Sequence, residues 1–296
     1  MTAYLLTLAF CFCAFFQNEG ARAIIPEEFV KARPAKSKTA PAKRPTYRNT
    51  SDNRTIKPSN PSDQFAQLGL TIWRLRPAAT RDIGARIIVH EEGQSTATEW
   101  MPERIEANTP LRIGEHIRFS FESPQTGYLY VIDREQYANG TLGDPYLIFP
   151  TKRTRNGDNQ VAAGRIIEIP SQDDRPNFFT LRQSRLDQVS ENIMVIVSKE
   201  PLKDVVISDK ALKLSAEQVA QWEKEWGAQT EQFEMVGGKG KTWTKEEQAA
   251  GADTTRSLTQ NDPGPQTIYR VATKPGQPVL IKVGLKYSLP RTRTKR

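Results

Sequence analysis

From Gln64 onward the chain alternates apolar and polar residues in short runs divided by turn residues. Residues 115–123 show this most plainly: Ile117, Phe119 and Phe121 interleave with Arg118, Ser120 and Glu122. Period-two alternation of this kind predicts a strand with one buried face. Comparable runs predict strands at 68–77, 85–92, 127–133, 165–170 and 192–200. Many short strands with turn signals between them indicate a mainly β, antiparallel sandwich-like fold.

A helical insertion is expected at about 212–252. Ser215 and Gln218 stand at capping-box spacing, flanked by Leu214 and Val219 at the staple positions. Val219, Trp222 and Trp226 then share one helix face, as core more than as a ligand platform, and Gly227 can end the helix. Thr244 to Glu247 opens a second helix ending near Gly251. The segment 266–287 reads as strand, Pro-Gly turn, strand.

Two N-terminal segments break the pattern. Leu5 to Phe16 is an apolar run of signal-peptide length followed by Ala21-Arg22-Ala23, which predicts a signal peptide over 1–23. Residues 24–63 form a basic stretch rich in Pro and Lys, expected to be a disordered tether. The β-rich domain then spans 64–288, and a basic tail occupies 289–296. The tether is either a plain spacer or a cationic strap, Lys31 to Lys57, that attracts an anionic surface. Both cysteines, Cys11 and Cys13, lie in the signal segment, so the mature chain is expected to fold without disulfides.

The net charge of +8 looks different once it is located. Residues 31–60 carry nine Lys and Arg against one Asp, and the tail from Arg291 carries four more, so the folded part is mildly acidic. This distribution and the export signal argue against nucleic acid as a partner. No other run is long enough to span a bilayer as a helix. The expected address is exported: periplasmic or envelope-associated, with secretion a further option.

Candidate chemistry is sparse. GGKGKT (237–242) resembles a phosphate-binding loop, but Met235 stands where the first glycine belongs and no apolar strand is evident before it. The two histidines, His90 and His116, have no metal-ligand partners at useful spacing. The segment Gly127 to Pro150 offers more. Asn139-Gly140 predicts a type I′ hairpin that pairs Ile132 with Leu147 and Tyr130 with Phe149. Such a turn gathers Asp133, Glu135 and Asp144, where a cation such as Ca²⁺ or a raised carboxyl pKa would relieve their repulsion. Gly143-Asp144-Pro145 is itself a turn signal, and an open loop with solvated acids is the competing outcome.

The GYLYVID run, the Asn-Gly turn, YLIFP and the Gly-Asp-Asn before AGRIIEIP together resemble the bacterial domain of unknown function 4384 family. LGLTIWRLRP, EWMPERI and the QTIYRV…LIKVGLKY ending extend the resemblance, over about residues 65–287, to a full-length exported subgroup. It implies a β-rich accessory domain of envelope-associated or multidomain proteins and transfers no catalytic residue. The sequence therefore points to a non-enzymatic binding or scaffold role, with an envelope protein or cell-wall polymer as partner. A carboxylate-dependent glycan hydrolase and a calcium-stabilised adhesion module are the alternatives.

Overall fold

The computed structural model describes residues 28–34, 45–51, 64–89, 98–253 and 255–288. The expected signal segment, the basic tail and His90 lie outside them.

Two antiparallel sheets pack face to face. In the larger, the long strand β2 (Gln64–Pro77) is central. One edge of β2 pairs with β14 (Thr267–Thr273) in its first half and with β4 (Thr98–Ile105) in its second. Its other edge pairs with β5 (His116–Ser123). Beyond β4 lies β3 (Ile87–Val89); beyond β5 lie β9 (Arg165–Ile169) and β10 (Phe179–Thr180). β14 continues to β13 (Thr230–Met235) and β1 (Tyr47–Asn49). The smaller sheet runs β12 (Leu212–Lys213), β7 (Tyr146–Phe149), β6 (Gly127–Tyr137), β11 (Gln188–Ser198) and β15 (Val279–Lys286), with β8 (Gln160–Val161) on β6.

The alternation sets the core. Leu68, Leu70 and Ile72 of β2 and Phe119 and Phe121 of β5 meet Leu129, Val131, Val195 and Ile281 of the other sheet. The smaller sheet's outer face is apolar as well. Tyr130, Ile132, Met194 and Ile196 pack beneath helix α1 (Ala216–Trp226), which contributes Val219 and Trp222. Ser215 caps α1 by accepting from the Gln218 amide at 3.1 Å, and Leu214 and Val219 are both buried as a staple requires. Gly227 closes the helix without the left-handed conformation that glycine permits.

The larger sheet's outer face overturns a simple reading of the β5 pattern, because both its faces are buried. Arg118, Ser120 and Glu122 are buried, as are the phenylalanines between them. Arg118 pairs with Glu168 at 3.0 Å, Glu122 with Arg33, and Arg104 with Glu247. Trp73 lies against the Arg104 guanidinium and Trp243 against that of Arg118, at 5.1 and 5.4 Å from the ring centres.

Part of the stretch expected to be a disordered tether belongs to this layer. Arg33 holds Glu122 with two hydrogen bonds, at 2.7 and 2.6 Å, and donates also to the carbonyls of Thr259, Asp262 and Pro263. Phe29 and Val30 pack on Phe233 and Ile268, and β1 adds a strand beside β13. One other expectation changes. β13 leads from the helical insertion into the glycine turn at 236–240, which continues to α2 (Lys245–Ala252), so the strand-loop-helix context exists after all. The strand, Pro-Gly turn, strand reading of 266–287 holds: Gln277 donates to the Lys274 carbonyl at 3.1 Å across the turn, which carries the chain from one sheet to the other.

Candidate functional site: the hairpin acids and a surface groove

The hairpin of β6 and β7 turns differently from a type I′ loop. Gly140 donates to the Tyr137 carbonyl at 2.8 Å and alone among the turn residues has positive φ, +84°. Asn139 Oδ1 accepts from the Thr141 amide and hydroxyl. The loop is thus Ala138-Asn139-Gly140, a three-residue turn whose left-handed position falls to glycine. Asp133 pairs with Tyr146 and Ile132 with Leu147, as expected, but Phe149 lies opposite Val131, not Tyr130. The irregularity carries Phe149 into the core between the sheets.

This geometry separates the three acids. Glu135 faces Gly143, whose amide donates to the Glu135 carbonyl at 2.8 Å, and the return arm holds one extra residue before Tyr146. Asp144 is turned outward onto Lys213, 2.5 Å away, both exposed. Asp133 and Glu135 stay on the sheet face that carries Leu129 and Val131, beside an acid the sequence reading missed. Glu191 lies directly opposite Glu135 on β11 and diagonal to Asp133. The signal was present: Glu191 continues the alternation of Ile193, Val195 and Val197 by one step.

Each acid of this group has a different surrounding. Tyr137 donates to Glu135 at 2.6 Å. Gln188 donates to Glu191 Oε1 at 2.8 Å, and Tyr287 donates to the same oxygen. Asp133 Oδ1 is shut off from solvent and has no donor. Burial raises the Asp133 pKa well above the usual carboxylate range, and the neighbouring Glu191 charge raises it further. Burial raises the Glu191 carboxyl too, opposed by the Tyr287 hydrogen bond. Among the described residues no group of three His, Cys, Asp or Glu side chains is disposed to hold a metal ion.

The conspicuous concave surface is elsewhere. A cavity of about 390 Å³ is lined by Gly127, Tyr128, Arg155, Asp158, Arg165 and Lys199, among others. Lys199 also lines a second cavity of about 360 Å³, with Leu202, Trp222, Trp226 and Pro278. The two share Lys199, and together they are termed the groove, cationic at one end and aromatic at the other. The Trp222 and Trp226 rings are stacked, 5.7 Å apart and 14° from parallel. The Leu202 amide donates to the Tyr130 hydroxyl at 2.9 Å, which fixes the wall between β11 and α1. Asp133, Glu135 and Asp144 line neither cavity.

The Gly-Asp-Asn motif builds the cationic end. Gly157 has φ +81°, and a side chain there would sit 2.9 Å from Ile207. Asp158 accepts from the Gln160 amide, while Asn159 exchanges hydrogen bonds with the Leu129 backbone. At Gly127 a Cβ would lie 2.2 Å from the Ser198 carbonyl oxygen, so the strand cannot carry a side chain there. His116, the described histidine, lies between Trp100 and Phe178, with ring centres 4.9 and 4.2 Å away and the planes tilted by 50° and 42°.

The Domain of unknown function (DUF4384) family matches residues 110–201, and the chain contains this domain. The match runs from the approach to β5 through β11 and includes most of the cationic end of the groove. It is narrower than the resemblance at 65–287: β2, β13, β14, β15 and both helices fall outside it. No curated protein and no solved structure matches the chain.

Proposed function

We propose that the protein is an exported, non-enzymatic binding module of the bacterial envelope, and that the groove holds an anionic cell-wall polymer. The observation that carries this reading is the pairing of three cations with a tryptophan stack along one surface. Along the groove Arg155, Arg165, Lys199 and Lys203 stand against Asp158, Glu200 and Asp204, with the excess of cations at the end where Arg155 pairs with Asp158. That end suits the acidic groups of such a polymer, while the indole faces suit its sugar rings. A protein partner would more often meet an aromatic anchor in an apolar patch with charges confined to the rim. The basic stretch Lys31–Lys57 adds long-range attraction, although Arg33 is committed to Glu122 and Arg48 to Glu106.

Sedimentation with isolated cell wall, using the full chain, tests the reading. Lys199→Glu should weaken binding about tenfold, the scale of one charge-assisted contact, and added salt should weaken the parent similarly. Trp226→Ala should weaken binding at all salt concentrations. Binding that survives both substitutions unchanged would discard the groove. Replacing Lys36, Lys38 and Lys43 with Gln probes the basic stretch while leaving the Arg33 anchor in place.

A further inference from the structure

The glycine turn between β13 and α2 borders another cavity, of about 290 Å³, which shares no lining residue with the groove. Arg104, Lys241, Thr244, Glu247, Asn261 and Gly264 are among its walls. Its volume is at the low end for small-ligand pockets. Thr244 caps α2, so the positive end of the helix dipole is at this wall.

The two cations and two acids of the lining balance in number, but the acids are engaged in a way that leaves Arg104 Nη1 and Lys241 without one. Arg104 is 5 % exposed. Its Nη2 donates to Glu247 and to the Gly264 carbonyl, but its Nη1, also buried, donates to nothing. Both acids at the cavity are already engaged. Glu247 accepts from Arg104 through one oxygen and from the Thr244 amide, at 2.8 Å, through the other. Asp262 accepts from Arg256 and from the Thr259 amide and hydroxyl. Lys239 pairs with Glu106, while Lys241 forms no ion pair among the described residues. Thr244 Oγ1 accepts from the Glu247 amide and keeps its own proton to donate.

We propose that this cavity binds one tetrahedral oxyanion: a phosphate group, free or carried on a small organic molecule. Arg104 Nη1, Lys241 Nζ and the Thr244 hydroxyl are its donors. The mode is not that of a nucleotide-binding loop. The amides of Gly238, Gly240, Lys241 and Trp243 are all spent on backbone carbonyls, so side chains do the holding.

The experiment is a titration of the full chain with inorganic phosphate, followed by melting temperature and by amide NMR shifts. The expected result is a saturable rise in Tm that chloride at matched ionic strength does not reproduce, with shifts at Thr244, Asn261 and Gly264. Lys241→Ala should weaken phosphate binding about tenfold, the loss of one charge-assisted hydrogen bond, and leave the phosphate-free Tm unchanged. Tighter binding of glycerol phosphate would assign an esterified ligand; equal or weaker binding would assign the free ion. Absence of saturation, an equal response to chloride, or a response that Lys241→Ala leaves intact would overturn the proposal. Lys199→Glu should not alter the phosphate response, which keeps this test separate from that of the groove.

Discussion

The two sheets cover their outer faces in opposite ways. The smaller sheet lays Ile132, Met194 and Ile196 under a helix that brings Val219 and Trp222. The larger sheet places Glu122 of β5 and Arg104 of β4 under an N-terminal segment and helix α2, which bring Arg33 and Glu247, while Arg118 is matched by Glu168 on the neighbouring strand β9. An apolar cover gains by removing area from water and tolerates small misfits. A charged cover must match its partners, since a buried charge left alone costs several kcal/mol. The charged face therefore depends on residues far apart in the chain: Arg33 and Glu122 are 89 positions apart, Arg104 and Glu247 143.

Removing one charge should break the comparison most sharply. Arg33→Ala leaves Glu122 buried without its guanidinium and should cost about 3–5 kcal/mol in urea unfolding. Replacing the pair together, Arg33→Met with Glu122→Leu, should recover most of that loss, because an apolar pair needs no compensation. A single substitution costing under about 1 kcal/mol would mean that the N-terminal segment is not integral to the fold. On the apolar face, Trp222→Ala should cost about 3 kcal/mol, near the lower bound for a buried tryptophan because its edge borders the groove. No second substitution should rescue that loss as the pair swap does, since no charge is left stranded.

This contrast also explains what the sequence disclosed. The strands, the sandwich and both helices follow from local periodicity and capping, which need no knowledge of partners. Ser215, where the spacing suggested a capping box, accepts from the Gln218 amide, and the reciprocal box forms at Thr244 and Glu247. β13 was missed because TEQFEM places glutamates on both faces, and both are buried in polar company: Glu231 with Arg270, and Glu234 with Gln232, Gln266, Thr267 and the Ala107 amide. Arg33 was missed for a related reason. A basic, proline-rich stretch looks unable to bury itself, and nothing local announces a carboxylate waiting 89 residues on. At the hairpin, Asp133 and Glu135 were found by alternation. Their companion Glu191 was missed because it lies one residue beyond the apolar run that defined its strand.

Asp133 and Glu191 stand between the two cases: buried acids beside one another with no arginine to divide them. The folded state raises both carboxyl pKa values. Between the ordinary carboxylate range and the raised values, the native chain therefore holds more protons than the unfolded chain. Stability contributed by this pair is full below the ordinary range and is lost as pH rises through the raised values. Asp133→Asn removes one titrating group and should flatten that decline. The variant should gain about 1 kcal/mol at pH 8, the scale of a relieved buried polar group, and nothing at pH 4. Urea midpoints at the two pH values decide it; an equal shift at both would show that packing, not charge, is responsible.

The smallest effect belongs to the acid that the hairpin releases. Asp144 meets Lys213 at 2.5 Å, but both side chains are more than half exposed. Water and salt screen such a pair, and holding two mobile side chains in one geometry offsets part of the attraction. Asp144→Asn should therefore change stability by no more than about 0.5 kcal/mol, and 0.5 M salt should erase the difference. The measurement discriminates because Asp144 is only nine residues from Glu135 on the same hairpin. If the three hairpin acids acted as one cluster, neutralising any of them would relieve the others, and Asp144→Asn would shift the pH dependence of stability as Asp133→Asn does. The extra residue before Tyr146 separates them, so the pH profile should stay that of the parent.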